Sequence, residues 1–436
     1  MTKRAAPTLA LLAAAALVLP AAGRPKHPRK RPASRRPAAV KPMRPVPVRG
    51  IEGAEALAPF LAALAQATEP QAGRMVRVMQ FGDSHTAADF WTGRLRQRLQ
   101  ARFGDAGPGL LMSGRPWRGY HHDGVQLVSG VQWPGESLRS REATGWVGLA
   151  GAAVEPPAGE PLRVQGRFAD LRLHLLGGSG ALPQASVAPL APAAGDEQDP
   201  APARTLDVRF EAGFAGGECL RIHGLKGAAG AQVQEVAIAL PEGAKLLGLE
   251  LLSGTPGVVY DELGLNGAEL TDLERWNPEL RKALLAQARP DLLVLAYGTN
   301  EAGRRNLDPA DYVARARVLL EGLKADSGAS ILVVGPLDRL ARRARQRAAV
   351  EAGATQVAGL LRQAARESGC AYWDARAAMG GPGAILKWRK AGLAQRDLVH
   401  LTSPGYQKLG DLLADELMKI YEARGNPGHP GGGSPP

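Results

Sequence analysis

The sequence predicts an α/β fold: a five-stranded parallel sheet covered by helices on both faces, interrupted by an inserted all-β domain. Two patterns predict it. Between residues 74 and 424, short apolar runs of strand length alternate with stretches of helical spacing, the signature of β-α units and a parallel sheet. Between 107 and 253 the period changes to two, with Gly and Pro between the runs, as in a β-rich domain.

The elements follow in order. Met75–Phe81 reads as the first strand, and Ala88, Trp91, Leu95 and Leu99 follow at helical spacing. Trp91 falls on this stripe and is expected in the core. The insert shows the alternations Leu171/Leu173/Leu175, Leu206/Val208/Phe210, Val236/Ile238/Leu240 and Leu247/Leu249/Leu251. Within it, residues 177–204 are rich in Pro and Ala without periodicity and read as a loop. Val258–Leu265 is the second strand, with a helical stretch near Leu270–Leu285, and Leu292–Tyr297 the third. Asp308-Pro309 caps and opens the next helix. Ile331–Gly335 is the fourth strand, followed by a long Ala/Arg-rich helix, and Ala371–Trp373 the fifth. Ser403-Pro404 opens the last helix, with Leu409, Leu413, Leu417 and Ile420 on one face.

The N-terminus predicts export. Lys3 and Arg4 precede an apolar run from Leu9 to Leu19, and Pro20-Ala21-Ala22-Gly23 offers small residues for cleavage, so residues 1–23 read as a signal peptide. The run is short for a bilayer span. Residues 24–49 hold ten Lys/Arg, many Pro and no acid, which predicts a basic, disordered tether able to touch anionic envelope polymers. The net charge of +12 resides in this tether and in Lys3 and Arg4. The remainder is near neutral, which argues against a nucleic-acid-binding surface. Expected boundaries are 50–106 and 254–424 for the two parts of the α/β domain, 107–253 for the insert and 425–436 for a disordered tail. Cys219 and Cys370 make neither a disulfide framework nor a metal site, and a bond between them is not favoured. His121 and His122 lack ligand-spaced partners, and no phosphate loop or dinucleotide fingerprint occurs, so neither metal nor cofactor is expected.

Four candidate elements follow the carboxyl ends of four different strands, where open α/β sheets bind ligands. Gly82-Asp83-Ser84-His85 ends strand one. Gly allows a tight turn, and Ser84 is placed at a helix N-terminus, where the backbone dipole favours developing negative charge. Asp397-Leu398-Val399-His400 follows strand five. A carboxylate at i, i+3 from a histidine can fix its tautomer, leaving the other ring nitrogen to take a proton from a serine hydroxyl. Gly298-Thr299-Asn300-Glu301 ends strand three, where an Asn amide can donate to an oxyanion. Gly264-Leu265-Asn266-Gly267 ends strand two, where a Gly N–H can do the same. Together these are the parts of an acyl-transfer site. His85 reads as a local hydrogen-bond partner, and Glu301 as a residue that orients the Asn300 turn.

Gly82-Asp83-Ser84, the Gly264–Gly267 turn, Gly298-x-Asn300 and Asp397-x-x-His400 resemble the ordered blocks of SGNH/GDSL hydrolases, over residues 74–106 and 255–423. The resemblance implies a flavodoxin-like three-layer α/β/α fold. It makes Ser84 the nucleophile and Asp397 and His400 its triad partners. The oxyanion hole would comprise the N–H groups of Ser84 and of Gly267, favoured over Gly264, with the Asn300 side chain. Gly82-Asp83-Ser84-His85, Gly298-Thr299-Asn300-Glu301 and His400-Leu401-Thr402 further resemble peptidoglycan O-acetylesterases of the Gram-negative envelope, which carry a β-rich insert like a carbohydrate-binding module. The implied activity is removal of O-acetyl groups from an envelope glycan, outside the cytoplasm. The alternatives are the same machinery acting on another ester, by hydrolysis or acetyl transfer, and a non-catalytic glycan-binding protein.

Overall fold

The computed structural model describes residues 50–69, 73–112, 117, 120–128, 132–178, 182–189, 204–214, 217–223, 232–304 and 306–424. The expected signal peptide, tether and tail, and much of the 177–204 loop, lie outside them. Among the described residues no helix is long and apolar enough to cross a membrane.

Five parallel strands form the central sheet: β1 (Met75–Gly82), β2 (Gly257–Gly264), β3 (Leu292–Ala296), β4 (Ser330–Val334) and β5 (Ala371–Trp373), in the order β2-β1-β3-β4-β5. Side chains alternate across it, as strand geometry demands. Val76, Val78, Val294, Leu332 and Val334 face one core, packed by helices α1 (Ala58–Ala67), α2 (Phe90–Phe103) and the last helix, Ser403–Ala423. Met79, Phe81, Leu293, Leu295, Ile331 and Val333 face the other, packed by Pro278–Ala288, Pro309–Ser327 and Arg347–Glu367. The result is three layers, α/β/α. Each Val, Leu or Phe fully buried in these cores contributes about 1.5–3 kcal/mol relative to exposure. Asp308 caps Pro309–Ser327 through the N–H groups of Ala310 and Asp311. Leu409, Leu413 and Leu417 are buried on the last helix, and Ile420 packs at the core edge.

Between β1 and β2 the chain builds an antiparallel sheet of eleven strands. Its path runs 125–128, 162–168, 232–239, 184–189, 204–214, 217–223, 170–176, 245–252, 152–154 and 135–137, with 109–111 paired onto 245–252. Gln184–Pro189 is therefore a strand inside the segment that reads as a loop. Its only apolar alternation is Ala185 and Val187, too short to stand out among the surrounding Pro and Ala, and neighbours on both sides pair with it. The 270–285 stretch divides into a 3₁₀ turn, Leu270–Arg275, and the helix Pro278–Ala288. Both cysteines are free and buried.

The insert is fastened to the α/β layers. Arg77 of β1, buried, donates to Glu250 Oε1 of strand 245–252 at 2.9 Å and to Asp261 Oδ2 of β2 at 3.3 Å. Arg275 donates to the carbonyls of Leu138 and Ser140 at 2.6 and 2.7 Å. Trp276 Nε1 donates to the Val147 carbonyl at 2.9 Å.

Candidate active site

Ser84 follows the carboxyl end of β1. Gly82 before it has no space for a side chain: a Cβ would lie 2.1 Å from Thr86 Oγ1 and 2.9 Å from the Ala296 carbonyl. The chain then closes a turn, with the N–H groups of Thr86 and Ala87 donating to the Asp83 carbonyl at 3.0 and 3.1 Å. Ser84 is thus at the start of a separate turn rather than on α2. That helix begins only at Phe90, because Asp89 adopts a left-handed φ of 52° that breaks helical continuity. Asp83 is buried and accepts the His85 N–H at 2.9 Å. Burial pushes its carboxyl up to about 6, against the opposing hydrogen bonds.

Ser84, His400 and Asp397 come together from loops 316 residues apart in sequence. Ser84 Oγ lies 2.9 Å from His400 Nε2, and His400 Nδ1 lies 2.7 Å from Asp397 Oδ2. The other oxygen, Asp397 Oδ1, accepts the Val399 and His400 N–H groups at 3.0 and 3.1 Å. Partial burial raises the Asp397 carboxyl, but these hydrogen bonds outweigh it and the net shift is downward, so the group is ionised. An ionised carboxylate only accepts, so Nδ1 carries the proton and Nε2 is free to accept from the Ser84 hydroxyl. Leu398, buried between the two residues, takes a left-handed φ of 62°, and its carbonyl accepts the Leu340 N–H at 2.9 Å. Such strain in a non-glycine residue is typical of segments whose shape a site dictates.

The two turns expected to supply amide donors are adjacent. Asn300 Nδ2 donates to the Ala268 carbonyl at 2.8 Å, joining the β3 turn to the β2 turn. Glu301, buried, ties the same turns more firmly. Its Oε1 accepts from Leu270 N–H at 2.8 Å and Tyr312 Oη at 3.2 Å, and its Oε2 accepts from Gly298 N–H at 3.1 Å. Burial pushes its carboxyl up to about 7. Gly298 needs to be glycine, with φ 112° and a Cβ there lying 3.0 Å from both Leu361 and Pro336. Of the two β2-turn glycines, Gly264 already gives its N–H to Glu262 Oε1 at 2.8 Å, and a Cβ there would lie 2.2 Å from Ala87 N. Gly267 stands further out, at φ 73°, with its carbonyl held by Arg139 of the insert.

Several of these groups carry no sequence signal. Arg139 reaches the Gly267 turn from 128 positions away. Arg339 donates to the Thr299 carbonyl, and Tyr406 meets His85, with Oη 2.8 Å from Nδ1. His85 is buried, and desolvation, with the charges of His400 and Arg339 nearby, lowers its pKa to about 3, so the ring is neutral. His122 is also buried, with Nδ1 3.9 Å from Asp89 Oδ2. Chemically, the arrangement offers a hydroxyl with a base in hydrogen-bond contact, which is what nucleophilic attack on an ester carbonyl requires.

Comparison with known proteins agrees with this chemistry. Residues 240–408 match the GDSL-like lipase/acylhydrolase family, a span that starts just before the last strand of the insert and holds Gly267, Asn300, Asp397 and His400. A solved structure described as a peptidoglycan O-acetylesterase is similar over 84% of this chain and 97% of its own, at 27% identity and a TM-score of 0.66. An acetyl xylan esterase from Geobacillus stearothermophilus aligns with 38% of this chain and 74% of its own, at 21% identity and TM-score 0.30. A lipase/acylhydrolase from Enterococcus faecalis aligns with 37% and 77%, at 18% identity and TM-score 0.29. No curated protein matches the chain.

Proposed function

We propose that this chain, whose residues 240–408 match the GDSL-like lipase/acylhydrolase family, is a serine ester hydrolase that removes O-acetyl groups from a cell-envelope carbohydrate, with peptidoglycan as the substrate. The observation that carries the reading is the Ser84–His400–Asp397 alignment, with 2.9 and 2.7 Å contacts. The substrate choice is supported by the likeness to a peptidoglycan O-acetylesterase, which spans nearly all of that chain. The expected signal peptide and tether support a location outside the cytoplasm, in the periplasm or beyond.

In this reading His400 Nε2 takes the Ser84 proton as Oγ attacks the acetyl carbonyl. The oxyanion is held by the N–H groups of Ser84 and Gly267 and by Asn300 Nδ2. The His400 proton passes to the departing sugar oxygen. Water, deprotonated by the same ring, then attacks the acetyl-serine, releases acetate and restores the Ser84 hydroxyl.

Purified protein and its Ser84→Ala variant, both shown folded by circular dichroism, are assayed for acetate release from O-acetylated peptidoglycan, acetylated xylan and esters of increasing chain length. Turnover of the peptidoglycan that vanishes in the variant supports the proposal. Preference for long acyl chains would redirect it to a lipase. Equal activity in both proteins would sink the serine mechanism.

A further inference from the structure

A row of aromatic rings leads outward from the catalytic histidine. The His400 and His85 ring centroids are 5.2 Å apart, and the Tyr406 ring follows at 5.9 Å from His85. The Phe90 ring lies 6.1 Å from Tyr406 with planes 17° apart, and His121 lies 5.8 Å from Phe90 at 25°. His85 and Tyr406 are buried, whereas Phe90 and His121 are exposed. Phe90 is 36% exposed, unusual for a Phe placed one short turn after the Ser84 loop.

The two exposed rings are held by a common anchor. Asp89, buried and in its left-handed conformation, starts the helix that presents Phe90. Its carboxylate pairs with Arg96 at 2.5 Å and accepts from Thr92 Oγ1 at 2.7 Å. It also accepts the Asp123 N–H at 2.7 Å, two residues beyond His121. Arg96 and Gln97 add contacts to the Asp123 carbonyl and side chain at 3.3 and 2.8 Å. A strained residue and a buried ion pair therefore fix both segments that carry the exposed rings. Strain retained in this way is a mark of function, and rigid support is what a binding surface needs.

We infer that Phe90 and His121 form a stacking platform for a hexopyranose ring of the substrate glycan, one sugar along from the unit that bears the ester. The inference rests on the glycan-esterase reading above. The electron-rich faces of the two rings would attract the polarised C–H groups on one face of a pyranose. Two buried rings, His85 and Tyr406, stand between His400 and Phe90 in the row, so the platform is assigned to a sugar next to the one at Ser84 and not to the acetylated unit itself. The platform would select polymeric glycans over small esters, because only a polymer spans both places.

The test uses the full chain. N-acetylglucosamine–N-acetylmuramic acid oligosaccharides of two to four units are titrated into Ser84→Ala, with and without Phe90→Ala or His121→Ala, by calorimetry. Binding should weaken about three- to tenfold for Phe90→Ala and recover with Phe90→Trp. In the Ser84-containing protein, the kcat/KM ratio of O-acetylated peptidoglycan to a small acetyl ester should fall by a similar factor. Equal affinity with and without Phe90, or no binding to any form, would overturn the platform. Phe90-dependent binding by a protein that deacetylates none of the glycans would keep the platform and reject the esterase proposal.

Discussion

His400 Nδ1 stands 2.7 Å from Asp397 Oδ2, and the same carboxylate accepts the N–H of His400 itself. Asp397 therefore sets both the orientation and the tautomer of the ring. Asp397→Asn keeps the size but can turn an amide N–H toward Nδ1, which would move the ring proton to Nε2 and block acceptance from Ser84. Turnover of a small acetyl ester should fall by about 10⁴ with the fold intact, by analogy with the same change in other serine triads. A loss under tenfold would remove Asp397 from proton handling.

Asn300 commits one amide hydrogen to the Ala268 carbonyl at 2.8 Å. In the proposed mechanism the second goes to the oxyanion, with the first bond aiming it. Asn300→Ala should lower kcat roughly 100–1,000-fold, the usual cost of one oxyanion donor, with KM little changed. Steady-state kinetics beside circular dichroism checks this. A change confined to KM would make Asn300 a ground-state binding group instead.

The strands and the ordered chemical blocks were legible because they are local. Five short apolar runs stand at β-α spacing, and Asp397 and His400 meet within one turn. Ser84 departs from its expected helix terminus because the helix starts only after Asp89, a residue type that favours N-caps, whereas the apolar spacing of Ala88, Trp91, Leu95 and Leu99 runs across that position. Glu301 bonds to Leu270 across 31 positions, Arg139 reaches Gly267 across 128 and Tyr406 reaches His85 across 321. Such contacts follow from how strand ends converge, which periodicity does not encode. Gln184–Pro189 was missed for another reason: its apolar alternation is only Ala185 and Val187, too short to stand out among the surrounding Pro and Ala.

Glu301 holds the β2 and β3 turns together through Gly298, Leu270 and Tyr312. Gln in its place has one acceptor oxygen and must turn an NH₂ toward another donor. Glu301→Gln should therefore lower kcat about tenfold through displaced donors. The carboxyl also leaves a pH signature. Its folded value, about 7, lies above the ordinary 4.5. Its contribution to stability is full below 4.5 and is lost as pH rises through 7. The stability advantage of wild type over Glu301→Gln in urea should thus be larger at pH 5 than at pH 8. A gap independent of pH would mean that the carboxyl is ionised throughout.

Arg77 joins the parallel sheet to the insert from the end of β1 opposite Ser84. Its guanidinium is 2% exposed and contacts Glu250 at 2.9 Å and Asp261 at 3.3 Å. Burial raises the Asp261 carboxyl to about 6 even with Arg77 beside it. Glu250 goes the other way: burial raises it, but Arg77, His174 and Arg172 together hold it well below the usual range. Arg77→Ala would strand both carboxyls in a buried site, with only Arg172 at 3.2 Å and His174 at 3.6 Å left for Glu250. Breaking a buried ion pair from one side typically costs about 3–5 kcal/mol, so the urea midpoint should fall accordingly. Specific activity of the folded fraction should stay within about twofold, since Ser84 leaves the sheet at its other end. A loss below about 1 kcal/mol would mean that water enters the site and solvates the carboxylates, and that the insert is held without this ion pair.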